Sequence, residues 1–221
     1  MDWRYNTIWF DQVDRDKIIS WNYKEKKGLS LQFDIEEYAI LWYYRKKGLS
    51  FESIPQSEKL LYLELNWANI QDFCGVQRFP NLKRLELYYC TKLENDYGLL
   101  YLEDTIEHLH INQSKKFQST DEISKLKNLK VLRLNNCGPL KSIAFLKDLP
   151  NLIDFRFVDT NILDGDLTPI IDHPSLKSVG FFNKRHYNNT TEKINAILES
   201  KLKDEYQDFV YKDQYKTFKY K

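Results

Sequence analysis

"LKNLKVLRLNNCGPLKSIAFLKDLPNL", residues 126–152, sets Leu129, Leu132 and Leu134 three and then two apart, follows them with Cys137, and closes on Pro150, Asn151 and Leu152. Alternation at Leu132 and Leu134 is strand spacing, because successive side chains of a strand point to opposite faces. The Pro-Asn step is turn chemistry: proline fixes its own φ and lacks the donor that a central strand needs. The same pattern recurs outward from this stretch. Segments beginning at Leu60, Leu82, Ile106, Leu129, Leu152 and Leu176 start 22, 24, 23, 23 and 24 residues apart. Each keeps apolar residues at its first, fourth and sixth positions: Leu60, Leu63, Leu65; Leu82, Leu85, Leu87; Ile106, Leu109, Ile111; Leu129, Leu132, Leu134; Leu152, Phe155, Phe157; Leu176, Val179, Phe181. A fixed period of this size is the mark of a repeat architecture, in which each unit buries its apolar face against its neighbours. A further, degenerate copy is expected from Tyr38, with Leu41 and Tyr43.

This pattern resembles the leucine-rich repeat family, whose short form reads L-x-x-L-x-L-x-x-N/C-x-L, over residues 60–183. The resemblance implies an α/β solenoid with short parallel β-strands on its concave face and a return segment in each repeat. Cys90 and Cys137 both fall at the ninth position, where Ala68, Ser114 and Thr160 stand in other copies. A small group suits a place where the chain turns off the strand, so both cysteines read as structural. The expected organisation is one domain: a β-type N-terminal cap over 1–37, repeats over 38–183, and a helical C-terminal cap and tail over 184–221. In the last part Asn189 and Glu192 have capping-box spacing, and Ile194, Ile197, Leu198 and Leu202 share a helical face. "DFVYKDQYKTFKYK", residues 208–221, reads as a strand closing that cap or as a basic aromatic tail.

Composition bounds the function. With 33 Lys+Arg against 32 Asp+Glu the formal net charge is +1, which provides no global field toward nucleic acid or an anionic membrane. The N-terminus carries Asp2, Arg4 and Asp11 without a signal-type apolar run, and no stretch approaches ~18 apolar residues. Three cysteines with no C-x-x-C suggest neither a disulfide framework nor a zinc site. A cytoplasmic monomer is expected. There is no phosphate-binding glycine loop, no G-x-S-x-G and no H-E-x-x-H, so neither a cofactor nor a catalytic role is indicated. Asp159, Asp164 and Asp166 beside Gly165 lack the ligand spacing of a calcium loop.

The binding candidates lie on the strand face that points away from the core. The fifth-position column reads Glu64, Glu86, His110, Arg133, Arg156, Gly180, and passes from acidic to basic. Beside it stand Trp67, Tyr88, Tyr89 and Phe182, aromatic types that anchor protein interfaces. "NKRHY", residues 183–187, adds Lys184, Arg185 and His186 at one corner, a cluster suited to a carboxylate or phosphate. His108 with His110, and Glu64 with Glu86, are weaker acid–base or metal candidates that lack a third group at fixed spacing. Together these residues point to a non-enzymatic module binding another protein on its concave face. The resemblance extends to bacterial immunity proteins that neutralise toxins, which would make the partner a toxin. The alternative is nucleic-acid or anionic-surface binding through the basic aromatic tail.

Overall fold

A computed structural model describes residues 15–26 and 29–201, and the backbone of 209–212 and 215–218. Eight strands follow one another: β1 (Ile18–Asn22), β2 (Tyr38–Trp42), β3 (Tyr62–Asn66), β4 (Arg84–Tyr88), β5 (His108–Asn112), β6 (Val131–Asn135), β7 (Asp154–Arg156) and β8 (Ser178–Gly180). They form one sheet in strict chain order with every neighbouring pair parallel, an open solenoid-like α/β arrangement with little helix. The register matches the sequence spacing. Leu63 pairs Leu85, Leu85 pairs Leu109, Leu109 pairs Leu132, Leu132 pairs Phe155 and Phe155 pairs Val179.

The first, fourth and sixth positions of all six copies are buried. Facing them across the core are apolar residues of the return segments, among them Phe73, Val76, Phe79, Leu99, Ile123 and Leu146, all fully buried. Those segments turn as short 3-10 helices, such as Val76–Arg78 and Leu99–Leu102. One is the single-turn α1 (Thr168–Ile171). Gly98 marks how tightly they stack: its φ is +98° and an added Cβ would stand 2.6 Å from the Phe73 carbonyl carbon.

Two sets of side-chain hydrogen bonds tie several repeats to the ones before them. The asparagine preceding three of the starts donates to the preceding turn: Asn81 to Glu58 O, Asn128 to Asp104 O and Asn151 to Lys127 O, at 2.8, 2.9 and 2.8 Å. The asparagine of the Pro-Asn step therefore satisfies a carbonyl that the turn leaves open. The ninth position does the same at the other end of the strand. Cys90 Sγ donates to Leu65 O at 3.8 Å, Cys137 Sγ to Ile111 O at 3.5 Å and Thr160 Oγ1 to Leu134 O at 2.6 Å. Burial pushes both thiols up to about 12, which leaves them unreactive.

Three details differ from the sequence reading. Tyr38 pairs with Tyr62, so the degenerate copy starts two residues earlier, at Glu36, and buries Ala39 and Leu41 at its fourth and sixth positions. Residues 18–22, inside the segment expected to cap the sheet, form β1 in the same parallel register. Helix α2 (Thr191–Lys201) is capped by Thr190, whose hydroxyl accepts from Lys193 N at 3.4 Å, rather than by Asn189. Ile194 and Leu198 of α2 enter the core, while Leu202 lies outside the described residues. Asn195 both accepts from Val179 N (3.3 Å) and donates to Val179 O (3.2 Å), so one amide side chain completes the outer edge of β8. The stretch read as a closing strand or a tail contains an antiparallel pair, β9 (Phe209–Lys212) and β10 (Tyr215–Phe218), separate from the main sheet.

Candidate functional site

Strand alternation puts the third, fifth and seventh positions on one face, and in β3 to β8 that face carries a continuous polar network. At its centre Glu86 accepts from Arg84 Nε at 2.8 Å and from the Tyr88 hydroxyl at 2.8 Å. Arg84 also contacts it through Nη2. Tyr62 donates to Glu64 at 2.5 Å, and Asn66 donates to the other oxygen of Glu64 at 2.7 Å. Arg133 and Arg156 share Asp154, at 3.4 and 3.2 Å, and Arg156 reaches Ser178 Oγ at 3.2 Å.

His110 joins the two halves, and its tautomer follows from its partners. Asn135 Oδ1 accepts from Val158 N at 3.0 Å, which fixes the Asn135 amide so that its Nδ2 donates to His110 Nε2 at 3.3 Å. The ring proton is therefore on Nδ1, 3.2 Å from the Tyr88 oxygen, and Tyr88 in turn donates to Glu86. Burial pulls His110 down to about 4, against the raising effect of Glu86. Arg84 holds the Glu86 carboxyl down at about 2 although burial alone would raise it. His108 is fully buried and held neutral, mainly by burial and then by Arg84; both ring nitrogens lack a hydrogen-bond partner among the described residues, with Nε2 3.5 Å from Glu86.

This network changes the standing of several candidates. Glu86 is 4% exposed and bonded within its own strand to Arg84 and Tyr88, and His110 is 7% exposed and bonded to Tyr88 and Asn135 of the neighbouring strands, so neither is offered to solvent. Glu64, Tyr88, Arg133 and Arg156 are half-buried beside them. At the corner, Lys184 donates to Asn161 Oδ1 at 2.9 Å and His186 Nε2 meets Ile162 O at 2.9 Å. A Cβ on Gly165, whose φ is +68°, would stand 2.2 Å from the His186 carbonyl oxygen, so two loops are closely apposed there. Arg185 and Phe182 are exposed. With strands about 4.8 Å apart, β8 lies about 19 Å from β4, so Phe182 and this corner do not join the central cluster.

The structure also gathers residues that the column reading missed. At the eighth position the chain leaves β3 to β7 through the left-handed region: φ is 51° at Trp67, 57° at Tyr89, 60° at Gln113, 51° at Asn136 and 62° at Asp159; in the first copy the turn comes one residue later, with Tyr44 at 47° and Arg45 at 63°. Tyr44 stacks on Trp67 (centroids 5.4 Å apart, planes at 16°) and Trp67 on Tyr89 (5.5 Å, 23°). Lys24 Nζ covers the outer ring of Tyr44 at 4.4 Å, and Lys46 Nζ lies over Tyr23 at 4.8 Å. Tyr89 is 43% exposed and Trp67 and Tyr44 are half-exposed. Beside this strip runs an open groove of about 530 Å³ whose walls include Lys47, Asn69, Asp72 and Lys92. Tyr44 escaped the sequence reading because the turn that ends the first copy comes one residue later than in the other copies, so no shared column contains it; "YYRKK", residues 43–47, was the available signal.

Among the described residues no group of three or more His, Cys, Asp or Glu is placed to hold a metal ion, and no helix is long and apolar enough to cross a membrane. Fold and edge together define a class: an open parallel-strand, solenoid-like protein that carries a stacked aromatic strip where its strands end. Comparison with models of known protein families finds none that matches the chain, and comparison with curated proteins finds no matching relative.

Proposed function

We propose that this protein is a non-enzymatic binding module of the leucine-rich repeat kind, which holds another protein on the strip formed by Tyr44, Trp67 and Tyr89 and on the adjoining face from Tyr88 to Arg156. The observation that carries this reading is the aromatic strip itself. The left-handed corner disfavours large L side chains and suits Asn or Asp, which occupy it at Asn136 and Asp159. Placing Trp and Tyr there instead costs stability and gains exposed, mutually stacked rings on a rigid sheet edge. Rings held rigid lose little entropy on burial and serve as interface anchors. The polar network behind them supports this role: it fixes the half-buried Tyr88, Arg133 and Arg156 side chains from below.

The test is affinity capture from native lysate with the tagged protein and with a Trp67→Asn/Tyr89→Asn variant, whose new residues suit the corner. One protein retained stoichiometrically at moderate salt by the parent and lost by the variant supports the reading. Equal capture by both forms overturns the assignment of the strip.

A further inference from the structure

The partner chemistry can be taken further, on the reading that the strip binds protein. We infer that the Tyr44–Trp67–Tyr89 strip and the groove beside it take an acidic peptide segment of the partner. Two independent observations point there. The first is which part of each ring remains open. Trp67 is stacked on both sides, and the outer face of Tyr44 is covered by the Lys24 ammonium. Ring faces, where nucleobases stack, are largely used up inside the protein. The strip therefore presents ring edges, which carry the positive end of the aromatic quadrupole, together with the Trp67 indole N–H and the Tyr89 hydroxyl. A surface of positive edges and donors calls for acceptors.

The second observation is charge. Arg45, Lys46, Lys47 and Lys92 are exposed along the same edge, one to three residues beyond the strip positions Tyr44 and Tyr89. Among the described residues Arg45 and Lys47 have no ion pair with a carboxylate, whereas the nearby Glu94 is held by Lys116 at 2.6 Å and also feels the charge of Lys92. The groove lining carries Lys47, Lys92 and Lys116 against Asp72 and Glu94, and Arg45 and Lys46 add to them on the edge, so cations are in excess there although the whole chain is nearly neutral. Carboxylates spaced along an extended peptide would meet the lysines in the groove while its backbone carbonyls meet the ring-edge donors. A nucleic-acid strand could satisfy the lysines with phosphates, but its bases would find few open ring faces.

The experiment pans a random-peptide phage library on the immobilised full chain and, in parallel, on the Trp67→Asn/Tyr89→Asn variant. Enriched peptides are then resynthesised with each Asp and Glu replaced by Asn and Gln, and their binding is measured by anisotropy beside that of labelled oligothymidylate. The expected result is an Asp/Glu-rich consensus whose affinity falls at least about tenfold with the amide peptides and about tenfold with the variant, in the range of lost interface anchors. Circular dichroism melts of the variant control for folding. Enriched peptides without acidic bias, still lost by the variant, overturn the acidic assignment and leave the protein-binding reading in place. An acidic consensus bound equally by the variant overturns the strip as its site. Absence of enrichment overturns the inference, and tight oligothymidylate binding lost by the variant replaces both readings with a nucleic-acid surface.

Discussion

Trp67, at φ 51°, and Asn136, also at φ 51°, occupy the same corner of different repeats with opposite local energetics. For a bulky L residue that conformation costs roughly 1–2 kcal/mol, a penalty Asn eases through local hydrogen bonding. Trp67 offsets this by stacking on two rings, each contact contributing about 0.5–1.5 kcal/mol. The two terms nearly cancel, so Trp67→Asn is expected to shift the melting temperature by only a few degrees, whereas Trp67→Val, β-branched and without stacking, should lose about 2 kcal/mol or more. Chemical denaturation of both variants measures this; equal losses would show that stacking rather than backbone conformation governs the site. The thiols give a second residue-scale prediction. Cys90 and Cys137 are buried and held protonated well above neutrality, while Cys74 is half-buried. An aromatic disulfide reagent should modify Cys74 slowly in the native protein and all three thiols only after denaturation. The ninth-position pattern made Cys90 and Cys137 legible in the sequence, because a single small-residue column explains both. The carbonyl partners that require a donor there were not legible, since they belong to the preceding repeat.

At the scale of the strand the sequence placed the fourth- and sixth-position core residues of β3 to β8, because one period fixes which side chains face inward, but not the third-position Tyr62 and Val131, which are also buried. It did not show that Glu86 and His110 would be consumed by Arg84, Tyr88 and Asn135. Exposure on a strand face depends on what surrounds each side chain there, and the partners come from Arg84 at the third position and from Tyr88 and Asn135 at the seventh. That network carries a pH dependence. His110 falls from an ordinary 6.5 to about 4 in the folded chain, and His108 falls well below 6.5, so the folded state binds fewer protons than the unfolded one. Their contribution to stability is therefore fully present above pH 6.5 and is lost as the pH falls toward 4. Glu86, held down at about 2, contributes stability that is retained until more acidic conditions. A melting series from pH 7 to 4 should fall, and His110→Asn should flatten part of that fall while lowering stability at pH 7. An unchanged slope in the variant would place the titration on other groups.

Across the whole molecule the sheet is a one-dimensional stack in which each strand touches only its neighbours, so stability is a sum of local terms and nearest-neighbour terms. The stack is not uniform. Strands β2 to β6 each pair over five residues, whereas β7 and β8 pair over three. The shorter end relies instead on side chains: Phe181 stacks on Phe157 with centroids 4.6 Å apart and planes at 10°, Tyr187 packs edge-on against both rings, and Asn195 closes the outer strand edge. Phe181→Ala removes the centre of that arrangement and should cost about 3–5 kcal/mol. In a nearest-neighbour stack the loss stays local. Hydrogen exchange should show amides of β8 and α2 losing most of their protection in the variant, while β3 to β5 keep theirs. Equal loss of protection in β3 to β5 would mean that the eight strands unfold as one cooperative block, and that the shorter pairing at the C-terminal end is fully compensated by its rings.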